Sequence, residues 1–311
     1  MLAKRPWALL LASTALIFAG SFIAWRTQTA GGRIAVTDVR WVAGSGAKMS
    51  GLLYVPAGVT PENPAPGILA THGYINSRET QAGFAIEFAR RGWVVLAIDQ
   101  TGHGYSDPPA FARGFGGPDG LAYLRSLDFV DRDNIGLEGH SMGGWAAGMA
   151  AMGNPEGYRS MVLAGSSTGT FGVAEGTPDW PRNVGIIFSA WDEFSPTMWG
   201  ISNAAEVGTT AKMRTLFGTA EPVVQGRLYG STEAGTARML YQPRTNHPGD
   251  HLSAAAIGNA VDWFQRTLEG GNGLPPEDQI WYWKELGSLV ALVGMVVLML
   301  AVAGVLLRTG A

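Results

Sequence analysis

Two long uncharged runs divide this chain into three parts. Residues 7–25 and 286–307 contain no charged side chain and are mostly apolar. At about 1.5 Å per residue, each run is long enough to cross the ~30 Å hydrocarbon core of a bilayer as a helix. The pattern therefore predicts two membrane helices, with a folded domain between them.

Flanking charges predict the orientation of the two runs. Lys4 and Arg5 precede the first run, and Arg308 follows the second. Basic residues collect on the cytoplasmic side of membranes, so both chain ends are expected in the cytoplasm and the middle of the chain outside it. The first run is longer than the usual hydrophobic core of a signal peptide, which favours an uncleaved signal anchor. A cleaved signal peptide and, for the second run, a buried core helix are the alternatives.

The middle of the chain alternates between strand-like and helix-like segments. This order predicts the α/β class, with a mostly parallel eight-stranded sheet, helices on both faces and an antiparallel edge formed by the first strands. The predicted strands are 34–42, 51–55, 67–71, 93–98, 134–138, 160–164, 184–189 and 237–241, and the clearest helices are 79–91, 118–129, 142–152 and 253–268. The predicted parts of the chain are a cytoplasmic segment 1–6, a signal anchor 7–25, an α/β domain 33–270 with an insertion at 197–236, a linker 271–285 and a membrane helix 286–307.

A Gly-x-Ser-x-Gly motif at residues 139–143 is the main candidate for chemistry, although the pattern recurs at 165–169. Ser141 follows a strand-like run and precedes a helix-compatible run, which is the order required by a nucleophile on a tight turn. Ser167 is followed by residues with two prolines instead of a helix. Ser141 is therefore the predicted nucleophile and Ser167 an ordinary turn residue.

A serine nucleophile needs a base to remove its proton, and the base needs a carboxylate to orient it. Asp192 and His247 follow the seventh and eighth predicted strands, and α/β sheets build their sites at such strand exits. The sequence thus predicts Asp192 as the acid and His247 as the base. Glu193 remains an alternative acid and His251 an alternative base.

Two backbone amides are the predicted donors to an oxyanion. Met142 begins the helix after Ser141, where free N–H groups carry the positive end of the helix dipole. The turn after the third strand offers the amide of Tyr74 as the second donor, the alternative being an ordinary turn with a packed His72. Asp99 and His103 are predicted to hold a glycine-rich loop through local hydrogen bonds.

Composition excludes several classes of site. The net charge of −3 does not indicate the basic surface that nucleic-acid binding requires. The lack of cysteine excludes disulfides, thiolate nucleophiles and cysteine-bound metals. No His-Glu-x-x-His motif is present. We therefore expect no metal or cofactor, and as partners a bilayer and a small-molecule or lipid-like acyl substrate. The oligomeric state stays open.

Together these motifs resemble the α/β-hydrolase superfamily. The matching residues, in family order, are His72-Gly73-Tyr74, Asp99-x-x-Gly102-His103-Gly104-x-Ser106, the elbow at Ser141, Trp191-Asp192-Glu193 and His247. The chain is similar to dienelactone hydrolases and acyl-peptidase-like serine hydrolases. The resemblance implies a serine hydrolase that cleaves a carboxylic ester, thioester or amide, and the two apolar runs predict that this hydrolase is anchored in a membrane. An acyltransferase acting on a lipid or envelope acceptor, a serine peptidase and a non-catalytic membrane scaffold are the alternatives.

Overall fold

The computed structural model describes residues 5–309, with side chains described for residues 7–307. It contains two compact units, which are a domain of residues 34–279 and a helix pair formed by the residues before and after it. Most of the predicted cytoplasmic segment 1–6 lies outside the described residues.

The domain is built on one eight-stranded sheet in the order β1-β2-β4-β3-β5-β6-β7-β8. The strands are β1 (Ile34–Val42), β2 (Lys48–Pro56), β3 (Ala65–Thr71), β4 (Val94–Asp99), β5 (Val130–His140), β6 (Ser160–Ala164), β7 (Val184–Ile187) and β8 (Arg238–Tyr241). Only β2 pairs antiparallel with its two neighbours, and all other pairs are parallel. The predicted mostly parallel sheet with an antiparallel edge is confirmed.

Helices cover both faces of the sheet, as the sequence predicts. The helices of the chain are α1 (Arg5–Gln28), α2 (Ala82–Arg90), α3 (Gly117–Ser126), α4 (Met142–Gly153), α5 (Ser195–Trp199), α6 (Ala211–Phe217), α7 (Ala254–Thr267) and α8 (Trp281–Thr309). On β5, Leu137 belongs to the core with Leu124 of α3 and Ala147 of α4. Its neighbour Gly136 points the other way, against the ring of Phe264 on α7. Alternate residues of a strand face opposite sides of the sheet, so the two helix layers take alternate positions.

Residues 271–279 are held against the rest of the domain by Arg90, the last residue of α2, and by Arg91, which follows it. The buried guanidinium of Arg91 donates to the carbonyls of Leu274 and Asp278 at 3.2 and 3.1 Å, and also to that of Pro275. Arg90 donates to the Asp278 carboxylate at 2.8 Å. The stretch predicted as a linker, 271–285, is therefore divided between the domain, which extends to residue 279, and α8, which begins at 281.

The predicted insertion at 197–236 contains the short helices α5 and α6 and a long irregular stretch. Tyr229 exchanges two backbone hydrogen bonds with Arg238 of β8, at 2.9 and 2.8 Å. Because β8 is an edge strand, this pairing covers part of the sheet edge that would otherwise present free backbone groups.

The helix pair consists of α1 and α8, and both contain a stretch long and apolar enough to cross a membrane. Only 11% of the most apolar window of each helix is buried, unlike the core helix of a soluble domain. The helices pack at glycines. A Cβ at Gly20 would lie 2.5 Å from the main chain of Gly287 and Ala291, and one at Gly294 would lie 3.0 Å from the amide nitrogen of Ile17. The helices are antiparallel, and small residues at a close crossing are typical of membrane helices.

Gly20→Leu is expected to separate α1 from α8, because its side chain has to enter space held by the α8 backbone. With a protease site inserted between the exposed residues Gly31 and Gly32, α1 should stay bound to the cleaved protein in detergent, and the substitution should release it. Gly304→Leu is the control, since a Cβ at Gly304 meets no atom within 4 Å. Release of α1 from the cleaved protein without either substitution would contradict this packing.

Candidate active site

Ser141 occupies a sharp turn between β5 and α4, with φ 56° and ψ −121°. Positive φ is rare for a residue with a side chain, and such strain is often found at functional sites. The flanking glycines are sterically required. A Cβ at Gly139 would lie 2.2 Å from the carbonyl oxygen of Gly143, and one at Gly143 would lie 2.0 Å from that of Thr71. Local structure thus follows the strand, turn and helix order that the motif predicts.

Ser167, in the second Gly-x-Ser-x-Gly match, is fully buried and followed by irregular chain. Its hydroxyl lies 3.0 Å from that of Thr170 and accepts a hydrogen bond from Lys212 Nζ at 3.3 Å. A hydroxyl enclosed in this way has no route to a substrate, which fits the predicted role of a turn serine.

Asp192 and His247 lie together at the exits of the adjacent strands β7 and β8. His247 Nδ1 is 2.8 Å from Asp192 Oδ2, and Asp192 Oδ1 accepts the amide of Phe194 at 2.8 Å. Burial raises the pKa of Asp192, while the hydrogen bond from His247 acts in the opposite direction. With Nδ1 as donor to the carboxylate, Nε2 is the ring nitrogen left to accept a proton, as a general base requires.

The two alternative residues lie elsewhere around His247. Glu193 Oε2 accepts a hydrogen bond from the backbone amide of His247 at 3.1 Å, so it contacts the main chain and not the ring. His251 packs behind His140, with ring centroids 4.1 Å apart, and its other ring neighbour is Phe84. Burial lowers the pKa of His251 well below its ordinary value. Neither residue is placed to exchange a proton with Ser141.

The ring of His247 and the turn that carries Ser141 lie close together at the end of β5. His140, next to Ser141 in the chain, has its ring centroid 4.7 Å from that of His247. Among residues 5–309 the Ser141 hydroxyl makes no hydrogen bond of its own. Hydrogen bonds between nucleophile and base are commonly long before substrate binds and tighten in the complex.

The turn that carries Tyr74 lies directly against Ser141. A Cβ at Gly73 would be 3.4 Å from the Cβ of Ser141. His72 holds this turn, because its Nε2 accepts the Gln100 amide at 3.0 Å and its Nδ1 donates to the Gly73 carbonyl at 2.7 Å. Burial lowers the pKa of His72 to about 4, so the ring is neutral and keeps this arrangement. His72 is packed, as one sequence alternative holds, and Gly73, the residue before Tyr74, lies beside Ser141.

Asp99 is the centre of a structural hydrogen-bond network. Its carboxylate accepts bonds from the Ser50 hydroxyl at 2.6 Å and from the amides of Arg78 and Tyr105 at 3.0 and 3.2 Å. His103 Nδ1 bonds to the carbonyl of Thr101 at 3.1 Å. Both residues hold the loop after β4, as predicted. No group of three acids or histidines within the described part of the chain is arranged to hold a metal.

A cavity of about 820 Å³ opens at Ser141 and is lined mainly by aromatic rings and methionines. The aromatic lining residues are Tyr74, Phe111, Phe115, Trp145, Phe171 and Phe194. Trp145 and Met149 follow Ser141 at intervals of four, which places them on the same side of α4. No lysine, arginine, aspartate or glutamate among the described residues lines the cavity. The site therefore offers an apolar chamber to the group that Ser141 would attack.

Loops with unusual backbone geometry, which the sequence motifs did not predict, form part of this chamber. Phe111, Phe115 and Phe171 have φ of 67°, 61° and 48°. Phe111 and Phe171 are 54% and 62% exposed at the mouth, where Phe171 stacks on Trp145 with ring centroids 4.0 Å apart. Of the insertion 197–236, only Thr197 and Met198 line the cavity. The available signal was the presence of phenylalanines within glycine-rich and proline-rich loops.

The chain resembles known hydrolases in sequence and in fold. It is 36% identical over 78 residues to a 2-hydroxy-6-oxononadienedioate/2-hydroxy-6-oxononatrienedioate hydrolase of Cupriavidus pinatubonensis, a match that covers 25% of this chain and 27% of that protein. The chain thus matches about a quarter of the length of this curated relative.

Solved structures of two esterases are similar to this chain. An esterase of Pyrococcus furiosus aligns with a TM-score of 0.53 at 14% identity, covering 76% of this chain and 92% of that one. A bacterial heroin esterase aligns with a TM-score of 0.51 at 15% identity, covering 76% and 84%. At these identities the likeness concerns the fold alone. The sequence profile of the alpha/beta hydrolase fold family matches residues 66–283, more than half of the chain. The chain therefore belongs to the alpha/beta hydrolase family.

Proposed function

We propose that this protein is a serine hydrolase that cleaves a carboxylic ester through a covalent acyl-enzyme. The observation that carries the proposal is the 2.8 Å contact of Asp192 with the ring of His247, next to an elbow that holds Ser141 at positive φ. Ser141 Oγ attacks the carbonyl carbon while His247 Nε2 takes its proton. The amides of Met142 and Tyr74 stabilise the oxyanion. His247 returns the proton to the leaving alcohol, and water then releases the acid by the same steps.

The cavity favours a neutral substrate with an apolar acyl or alcohol group. Its lining consists mainly of aromatic rings and methionine thioethers. Among the described residues, no lysine or arginine lines the cavity and could pair with a carboxylate. Burying an unpaired carboxylate is costly. The curated relative from Cupriavidus is named for dioates, which carry two carboxylates. We infer a different substrate class here, namely uncharged esters.

The helix pair supports a membrane-anchored enzyme. Trp25 at the end of α1 and Tyr282 and Trp283 at the start of α8 have rings that are about half exposed. Tryptophan and tyrosine favour the membrane–water interface. In an antiparallel pair these three rings lie at the same end of the two helices. In the sequence Lys4 and Arg5 precede the first apolar run, and this basic flank supports a catalytic domain outside the cytoplasm.

Activity of the detergent-purified protein on p-nitrophenyl esters of graded acyl length, beside aminoacyl amides, tests this proposal. We expect ester hydrolysis that improves as the acyl chain lengthens, with little cleavage of amides. A marked preference for an amide would replace the esterase assignment by a peptidase. Transfer of the acyl group to an added alcohol in place of water would replace it by an acyltransferase.

Met149→Trp is expected to shift the preference toward short acyl chains, because Met149 lines the cavity on the same side of α4 as Ser141. Each buried methylene contributes about 0.8 kcal/mol, so excluding two of them costs about 1.6 kcal/mol, or roughly fifteenfold in kcat/KM on long esters. Activity on acetate esters should stay within about threefold. Met152→Trp, on the exposed side of the same helix, is the control and should leave the chain-length profile unchanged. An equal loss on short and long esters would argue against this cavity as the acyl site.

A further inference from the structure

We propose that His140, the residue before the nucleophile, is a positioning residue that holds the main chain of the base at a fixed distance from Ser141. The inference rests on the proposed function and assigns a role to a residue that takes no direct part in the proton transfers.

One hydrogen bond joins the segment that contains Ser141 to the segment that contains His247. His140 Nε2 lies 3.0 Å from the carbonyl oxygen of His247, which is 107 residues away in sequence. A carbonyl oxygen only accepts, so Nε2 carries the proton and donates. His140 is 2% exposed, and burial lowers its pKa to about 3, so the ring stays neutral and keeps this tautomer. Because His140 adjoins Ser141, the bond ties the elbow to the residue that acts as its base.

The His140 ring has little room to move. It lies between the rings of His247 and His251, at centroid distances of 4.7 and 4.1 Å. Gly165, at φ +54°, closes the third side. A Cβ there would be 2.9 Å from His247 Nδ1 and 3.1 Å from His140 Nε2. The first glycine of the second Gly-x-Ser-x-Gly motif therefore makes room for both rings, whereas its serine plays no part.

The buried carboxylate of Asp250 extends these contacts to the segment that follows β7 and leads to Asp192. Asp250 Oδ2 lies 3.7 Å from His140 Nε2, and Asp250 Oδ1 accepts a hydrogen bond from the hydroxyl of Ser189. Ser189 follows β7 and stands three residues before Asp192, while Asp250 stands three residues after His247. The elbow, the acid segment and the base segment thus converge on one set of buried polar contacts.

His247 is consequently held by its ring and by both backbone polar groups. Asp192 binds its ring, Glu193 accepts its backbone N–H, and its backbone carbonyl accepts hydrogen bonds from His140 Nε2 and, at 3.4 Å, from the amide of Asp250. Catalytic groups have to be held to within about 0.5 Å of their productive geometry, and a base carried by a loop needs such support. Without the His140 bond, the side of His247 that faces the elbow loses its only described polar link to β5.

The test compares substitutions that keep or remove the donor. Glutamine carries an amide nitrogen at a reach similar to that of Nε2, asparagine is one carbon shorter, and leucine has no donor. We expect His140→Leu and His140→Asn to lower kcat about 100-fold with KM within about threefold, because substrate binding is untouched. His140→Gln should recover kcat to within about fivefold of the unsubstituted enzyme. The rate of labelling by a fluorophosphonate probe, which needs no leaving alcohol, should follow kcat.

A matched control is Thr267→Val, which removes a buried side-chain hydrogen bond to Ser160 at the far end of β6 and should leave kcat unchanged. Thermal unfolding of each variant identifies any variant that fails to fold. If His140→Leu fails to fold, the comparison of His140→Gln with His140→Asn still tests the proposal. Full activity of His140→Asn, or equal losses for asparagine and glutamine, would overturn the proposal. Persisting activity of Ser141→Ala would instead overturn the proposed function, so the two failures are distinguishable.

Discussion

Ester hydrolysis by the Ser141→Ala variant is expected to fall by about 10⁴-fold to 10⁶-fold in kcat. The alanine cannot form the acyl-enzyme, and removal of a nucleophile leaves only the contribution of substrate binding and oxyanion stabilisation. The variant should also fail to react with a fluorophosphonate probe. Both readouts are measured on protein whose thermal unfolding matches that of the unsubstituted chain.

Ser167→Ala is the matched control, because it removes the same atom from the second Gly-x-Ser-x-Gly motif. Ser167 is fully buried, and its hydroxyl bonds only to neighbouring side chains. We expect its activity and labelling to stay within about threefold of the starting values. Loss of labelling in Ser167→Ala with retention in Ser141→Ala would reverse the assignment of the nucleophile.

Asp192→Asn is expected to lower kcat by about 10⁴-fold with little change in KM. The carboxylate accepts the Nδ1 proton of His247, and an amide in its place favours the tautomer with the proton on Nε2, where it blocks the base. The substitution is nearly isosteric, so the fold is expected to remain. Steady-state kinetics on the preferred p-nitrophenyl ester measure the effect.

Glu193→Gln distinguishes the role of Glu193 from that of its neighbour Asp192. Its side-chain oxygen contacts the backbone amide of His247, and glutamine retains an oxygen that accepts the same bond. The expected change in kcat is therefore below about fivefold. A larger loss in Glu193→Gln than in Asp192→Asn would show that the acid had been assigned to the wrong residue.

The sheet was predictable from the sequence because most of its strands are short, largely apolar runs bounded by turn residues. The predicted strand 34–42 and helix 142–152 match β1 and α4 to within one residue. The meeting of Asp192 with His247 was predictable for a different reason. Both follow strands that a parallel sheet places side by side, so the topology brings together two residues that are 55 positions apart in the sequence.

The chamber was not predictable in the same way. Its walls include Phe111, Phe115 and Phe171, whose loops follow positive-φ paths that no apolar periodicity encodes. The attachment of residues 271–279 was also hidden. Prolines and polar residues there are typical of a linker, whereas the fixing group, Arg91, lies more than 180 positions earlier in the chain. Such long-range polar contacts leave no local pattern in the sequence.

The absence of charge from the lining of the described chamber has a consequence for turnover. Under the proposed function, a neutral ester that enters it becomes a carboxylic acid on hydrolysis, and at neutral pH that acid ionises. An apolar wall solvates the carboxylate poorly compared with water, so ionisation drives the product out. The free acid should therefore inhibit more strongly below its own pKa than above it, and product release should not limit the rate in neutral solution.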